Sequence, residues 1–253
     1  MSKKFLSISM ILVFAFSLFS LGDKVYAGIN DFYGYGDEAG EVDYNDGYVS
    51  AEEMISNLPY KDVDKNSWYA IYVYEAYYAG IMKGKSKDTF DPTGKVTMAE
   101  LATISAKLRI ERMVSASDIV TKKGDVWYMP YVRYCYENGV YNDKNVKNGK
   151  KTLENCQDWN RPAKRSEVAG MLANCDNFYK MGFINPDVPM TDINDIDSNM
   201  KFSEEILTLY RAGVAVGDKN MRFHPNEKVT RAEVAAMVTR ILYDDYKIEL
   251  PKG

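Results

Sequence analysis

Apolar residues recur along the chain with the spacing of one helix face, and this spacing appears in paired segments. The clearest case is residues 231–242, "RAEVAAMVTRIL", where apolar positions follow the i, i+3, i+4, i+7 pattern of an amphipathic helix. Two earlier segments have equivalent faces, so the chain contains three such longer segments. A shorter amphipathic segment precedes the second and the third of these three. The longer segments present Leu101, Ile104 and Leu108; Val168, Met171, Leu172 and Cys175; and Val234, Met237, Val238 and Ile241; the shorter ones present Val132, Cys135 and Tyr136, and Phe202, Ile206, Leu209 and Tyr210. The pattern predicts an all-α chain of helix–loop–helix units.

Glycines mark the units at regular intervals. Gly80, Gly139 and Gly213 each begin a Gly-Ile or Gly-Val pair, and each precedes a glutamate by 20, 28 and 20 residues respectively. A glycine at the end of an amphipathic segment is typical of a left-handed residue just beyond a helix C-terminus. We therefore predict three units, at 59–117, 118–189 and 190–253, with a longer loop in the second.

Each longer helix begins with all or part of a capping box. In this motif a Thr hydroxyl accepts from the N3 amide, and a glutamate at N3 accepts from the N-cap amide. The residues concerned are Thr97 with Glu100, Glu167 without a threonine partner, and Thr230 with Glu233. Arg231 follows its threonine directly, where a cation faces the positive end of the helix dipole at a cost of roughly 0.3–1 kcal/mol. This placement suggests a role outside helix formation.

These marks together resemble the surface-layer homology (SLH) family. The resemblance lies in "DVDKNSWYAIYVYEAYYAGIMKGKSKDTFDPTGKVTMAELATISAKL" and "VTRAEVAAMVTRIL", with their Asp-Val, Trp, Gly-Ile, Phe-x-Pro and Thr-Arg-Ala-Glu marks. Three tandem copies are the usual complement of that family. The resemblance implies three helix–loop–helix SLH repeats in a pseudo-threefold bundle.

The same resemblance implies noncovalent binding to an anionic secondary polysaccharide attached to peptidoglycan, often one carrying pyruvate ketals. The motif arginine would contact the acidic sugar in a groove between repeats, a role that falls to Arg231 and Arg165. The residues themselves support an anion site, because a helix N-terminus presents free amides and a partial positive charge. Trp68 and Trp127 are either sugar-stacking residues or buried anchors of their units. Arg231 is the favoured contact.

The sequence departs from the family pattern at three places. The first copy has Met98 in place of the arginine, and the second has Lys164 in place of the threonine cap and no aligned Phe-x-Pro. The third has Lys201 at the position of Trp68 and Trp127. We expect one groove to be lost or altered.

Two segments precede the units. Residues 1–27 have a basic start, an apolar stretch and a small-residue end, which favours a cleaved signal peptide over a short membrane anchor. Residues 28–58 form an acidic Tyr- and Gly-rich linker with eight acids and no bases, in which residues 50–58 could form a short helix. We therefore expect a secreted protein held at the cell wall, with no membrane segment after cleavage.

Charge and residue usage exclude several kinds of function. The exported chain would carry 29 basic and 35 acidic side chains, which disfavours nucleic-acid binding. His224 is the single histidine and lies in a loop, so no nucleophilic triad or zinc spacing is present. The three cysteines are interpreted mainly as core residues, with one disulfide left open. The chain is predicted to be noncatalytic and to need no metal or cofactor.

The leading hypothesis is a wall-anchoring module that binds secondary wall polysaccharide through grooves between repeats. The alternative is a structural surface-layer component that contacts other surface-layer proteins and whose sugar grooves have degraded.

Overall fold

The computed structural model describes residues 51–113, 117–175 and 181–250, and this part of the chain is all-α. Its β pairing is limited to three isolated bridges. The predicted signal peptide and the linker up to residue 50 lie outside the described residues. The helices are α1 Ala51–Ser56, α2 Ala70–Tyr78, α3 Met98–Arg112, α4 Met129–Glu137, α5 Lys144–Lys147, α6 Arg165–Ala173, α7 Ser203–Arg211 and α8 Arg231–Leu242, with 3-10 turns at Met190–Asp192 and Asp244–Tyr246.

The three marker glycines end the first helix of each unit. Gly80, Gly139 and Gly213 have φ of 73°, 74° and 69°, the left-handed conformation in which a side chain is strained. In each case the next residue donates its amide back to a carbonyl inside the helix, at 3.1 Å for Ile81 to Ala76. This is the Schellman motif, which normally places an apolar residue after the glycine. The recurring Gly-Ile and Gly-Val pairs are therefore helix stops.

Helices of different units form the main packing contacts. Helix α3 of the first unit packs on α4 of the second, α6 packs on α7 of the third, and α8 packs on α2 of the first. The apolar faces predicted for α3, α6 and α8 are all buried. On α4 the predicted Tyr136 is only half-buried, and Tyr134 is the tyrosine that enters the core, 3% exposed. The second helix of one unit thus completes its core against the first helix of the next.

In the first and third units, the loop between the two helices is held by hydrogen bonds to an aspartate near the start of the unit. Asp62 accepts hydrogen bonds from the amides of Phe90 and Asp91, at 2.8 and 2.7 Å. Asp195 accepts from Phe223 and His224 in the same way, at 2.7 and 2.8 Å. These bonds hold Phe90 and Phe223 fully inside the core.

The short helix before the first unit and the three cysteines all contribute to the core. The short helix expected after residue 50 is α1, which packs on α2 and buries Met54. Cys135, Cys156 and Cys175 are all buried, and the structure joins no two of them in a disulfide. Burial holds the pKa of the Cys135 thiol well above its ordinary value, so it packs as an apolar side chain.

Candidate functional site: the junctions between units

The first turns of α3, α6 and α8 are bonded to loops of a neighbouring unit. In each helix the first two amides donate to carbonyls of the loop that precedes the next long helix. The six bonds are Met98 to Arg161 at 3.0 Å, Ala99 to Trp159 at 2.8 Å, Arg165 to Glu227 at 2.8 Å, Ser166 to Pro225 at 3.0 Å, Arg231 to Gly94 at 2.9 Å and Ala232 to Pro92 at 3.0 Å. The expectation that these amides are free for an anion is wrong, because neighbouring carbonyls already occupy them.

The third amide of two of these helices is satisfied by its own cap. Thr97 Oγ1 accepts from the Glu100 amide while Glu100 accepts from the Thr97 amide, and Thr230 and Glu233 repeat the arrangement. In α6 only half of the box exists. The Lys164 amide donates to Glu167 at 2.8 Å, but a lysine side chain cannot accept a hydrogen bond.

The three capping glutamates, Glu100, Glu167 and Glu233, have lowered pKa values and are therefore ionised. Burial acts to raise the pKa of each carboxyl, but hydrogen bonds and nearby cations outweigh it and hold the pKa below its ordinary value. The lowering partners are Lys85 for Glu100, Arg161 for Glu167 and the Thr230 cap for Glu233. Each junction therefore contains a fixed negative charge at a helix start.

Arg231 crosses from the third unit into the first and is buried there, 3% exposed. Its Nε donates to the Phe90 carbonyl at 2.8 Å, and its two Nη atoms bond Glu100 at 3.2 Å and the Lys83 carbonyl at 2.5 Å. The guanidinium also lies over the Phe90 ring, 4.6 Å from its centre. These contacts fasten the third unit to the first and leave almost no guanidinium surface for a ligand.

Arg165 makes the corresponding crossing from the second unit to the third but is less enclosed. Its Nη1 donates to Glu233 at 2.9 Å, and the guanidinium lies 5.1 Å from the centre of the Phe223 ring. Within the described residues its Nε is buried without a hydrogen-bond partner. The side chain is 18% exposed. Arg165 therefore has hydrogen-bonding capacity that the protein itself does not use.

The first-to-second junction has Met98 at the position of the arginine, and its glutamate is paired differently. Arg161 donates to both carboxylate oxygens of Glu167, at 2.8 and 2.6 Å. Trp159, which is 2% exposed, fills the core beside it and donates from Nε1 to the Leu153 carbonyl at 2.7 Å. The sequence interpretation missed both residues, although an arginine three residues before the helix cap was a readable signal.

Trp68 and Trp127 lie on the surface, 59% and 60% exposed. Each packs edge-on against the next residue, Tyr69 or Tyr128, with ring centres 5.6 and 5.4 Å apart. The buried-anchor alternative is therefore wrong. Both indoles leave a large part of their surface open, as a residue that stacks on a sugar must.

Two adjoining clefts lie beside α6, with volumes of about 220 and 230 Å³. Both are lined by Glu167, Lys201 and Phe202. Lys164 lines the first cleft, and Arg161 and Met98 line the second. The residues that line the clefts thus include Met98, Lys164 and Lys201, the three substitutions that depart from the repeat pattern.

Two regions of the chain match a known domain family. The family model of the S-layer homology domain matches residues 59–102 and 189–235, in the first and third units. Similar proteins include an S-layer protein of Bacillus thuringiensis subsp. finitimus and the S-layer protein sap of Bacillus anthracis, 24% and 25% identical over 72% of this chain. An endoglucanase of Bacillus sp. (strain KSM-635) is 25% identical over 77% of this chain.

The chain spans about a fifth of the length of each of these relatives, 20–21%. An activity named for a whole relative, such as that of the endoglucanase, therefore does not transfer with the alignment. No helix within the described residues is long and apolar enough to cross a membrane. The family match and the S-layer relatives support a noncatalytic module of the cell surface. The chain therefore carries S-layer homology domains, at residues 59–102 and 189–235.

Proposed function

We propose that the protein is an exported anchoring module that binds an anionic secondary polysaccharide of the cell wall at the junctions between three S-layer homology repeats. The repeats are units 59–117, 118–189 and 190–253, arranged about a pseudo-threefold axis. The cyclic pairing of α3 with α4, α6 with α7 and α8 with α2 supports this arrangement. The six amide–carbonyl hydrogen bonds that join neighbouring units at the starts of α3, α6 and α8 support it as well.

The observation that carries the proposal is the incomplete pairing of Arg165. A guanidinium offers a planar fork that matches a carboxylate, such as a uronate or a pyruvate ketal. Within the described residues Arg165 donates from Nη1 alone, to Glu233, and its side chain is 18% exposed, whereas Arg231 donates from all three of its nitrogens and is 4% exposed. We therefore assign the ligand contact to Arg165 and a joining role to Arg231.

Exposed aromatic surface accompanies this charge. Trp68 and Trp127 each present more than half of the side chain to solvent, at equivalent positions before α2 and α4. An indole face gains from stacking on the apolar face of a sugar ring. We propose that these two residues bind neutral parts of the polymer while the arginine holds an acidic group.

The test is sedimentation of the purified protein with wall sacculi, before and after chemical removal of the secondary polysaccharide. We expect co-sedimentation that depends on the polysaccharide and falls about tenfold or more in Arg165→Gln, since a charge-assisted bond contributes about 1.5–3 kcal/mol. Arg222→Gln is the control for loss of an arginine charge, because Arg222 is an exposed arginine of the third unit, whereas Arg165 lies in the second. Sedimentation that survives polysaccharide removal would instead support a structural surface-layer component that binds other surface proteins.

A further inference from the structure

Three separate departures from the repeat pattern meet in one place. Lys164 replaces the cap residues Thr97 and Thr230, and Lys201 replaces Trp68 and Trp127. Arg161, three residues before its cap, stands where the other two loops have Gly94 and Glu227. All three cations line the two adjoining clefts beside α6. Three substitutions that are separate in the sequence therefore place positive charge around one pair of clefts.

Within the described part of the chain, neither lysine of the clefts has an acidic partner. Lys164 Nζ donates to the neutral Asn226 side chain at 3.1 Å, and Lys201 Nζ lies 4.5 Å from the centre of the Phe202 ring. Across residues 51–113, 117–175 and 181–250, neither ammonium has a carboxylate within 4.0 Å.

The carboxylates that also line the clefts are already engaged. Glu167 is held by both Nη atoms of Arg161, and Asp143 caps α5 by accepting from the amides of Asn145 and Val146. The lining of the two clefts therefore holds three cations against two carboxylates, and neither lysine is paired with one of those carboxylates.

The donors available select the kind of anion. Arg161 has both Nη atoms on Glu167, so it offers no free fork to a planar carboxylate. Lys164 and Lys201 are compact charges with three donors each, and they suit a group with several oxygens and more than one negative charge. We propose that these clefts bind a phosphate group. The inference deepens the proposed wall function, on which its biological setting rests, by adding a second anion chemistry to the carboxylate site at Arg165.

The proposal is tested by calorimetric titration of the purified protein with inorganic phosphate, a glycerol-phosphate oligomer and an oligogalacturonate of similar charge. Both phosphate probes should bind at least tenfold more tightly to the wild type than to Lys164→Thr or Lys201→Trp, since each variant removes a charged donor. Lys123→Thr, which changes an exposed lysine far from the clefts in sequence, should bind like the wild type. Tighter binding of the oligomer assigns the phosphate to a polymer, and tighter binding of inorganic phosphate assigns it to the free ion.

Two results would overturn the proposal: oligogalacturonate binding that is weakened equally by the two lysine variants, or phosphate binding that neither variant weakens. Misfolding is not an alternative explanation for Lys164→Thr, because that change restores a helix cap. The titration contains no wall material, so it can fail while polysaccharide-dependent sedimentation succeeds, and the reverse also holds.

Discussion

Arg161 and Glu167 form a two-bond ion pair within the second unit, at 2.8 and 2.6 Å, in place of a pair between units. At the other junctions the capping glutamate is paired by the first residue of a helix in a different unit, Arg231 for Glu100 and Arg165 for Glu233. Met98 cannot make that pair. The glutamate of this junction therefore keeps a guanidinium partner, but the partner no longer joins two units.

Replacing Arg231 by methionine, the residue of the first unit, should be strongly destabilising. The change leaves two buried carbonyls without their donor and leaves Glu100 with Lys85 as its remaining cation, and breaking a buried pair costs about 3–5 kcal/mol. Urea unfolding should show a lower midpoint. A loss below about 1 kcal/mol would contradict the joining role assigned to Arg231.

Replacing Arg161 by glycine, as at Gly94, should cost much less. The Arg161 side chain is 31% exposed, and an exposed ion pair contributes about 0.2–1 kcal/mol, so this bidentate pair should lie near the upper end of that range. The same urea series measures it. A loss of stability as large as that of Arg231→Met would contradict this and show that the Arg161–Glu167 pair stabilises the protein as much as the Arg231–Glu100 pair does.

Lys164→Thr should stabilise the protein. A threonine supplies the hydroxyl that the third amide of α6 lacks, a gain of about 0.5–2 kcal/mol. Thr230→Ala is the opposite change at the equivalent position and should lose a similar amount. Thermal unfolding of the two variants beside the wild type checks the sign, and destabilisation by Lys164→Thr would contradict the assignment of the half-formed cap.

Gly170→Ala should destabilise the protein, although this change usually stabilises a helix. An ideal Cβ on Gly170 would lie 2.3 Å from Cδ1 of Phe202, which packs on α6 with a left-handed φ of 70°. Displacing a packed ring costs about 1–3 kcal/mol, more than the ~1 kcal/mol that alanine gains in a helix. Denaturant unfolding measures the balance, and a net gain in stability would show that Phe202 has room to move.

Glu75 should make stability fall as the pH rises towards neutrality. Burial raises the pKa of its carboxyl to about 7, although the Tyr246 hydroxyl donates to it at 3.2 Å. Because the folded-state pKa lies above the unfolded value of 4.5, the folded protein holds the proton more tightly, and this contribution is lost as the pH rises through 7.

The corresponding variant is Glu75→Gln. It should remove a difference on the order of 3 kcal/mol between pH 5 and pH 8 and should be more stable than the wild type at pH 8. The titratable groups around Glu75 are Tyr246, Tyr243 and Tyr74. Nearby, Arg240 donates a hydrogen bond to the Tyr72 hydroxyl. The Glu75→Gln substitution keeps all of these residues. Parallel pH profiles of the two proteins would contradict the assignment.

Local features could be predicted from the sequence because they depend on neighbours along the chain. Helix faces, the glycine stops and the Thr–Glu caps each involve residues within a few positions of one another, and the structure places helices α3, α6 and α8 where their patterns predicted them. Tyr136 shows the limit of a periodicity. Tyr134 lies two residues before it, on another side of α4, and Tyr134 is the tyrosine that is buried in the core.

The sequence by itself determined an all-α chain of repeated helix–loop–helix units, because helix periodicity and capping are local. Only the tertiary structure decided what the junctions are. It packed each long helix against a helix of another unit and bonded the first amides of these helices to carbonyls of a neighbouring loop. It also buried Arg231 and left Trp68 exposed. It also brought Arg161, Lys164 and Lys201 together. These outcomes depend on which surfaces meet across more than a hundred residues, as between Arg231 and Phe90, and no spacing along a single chain specifies that contact.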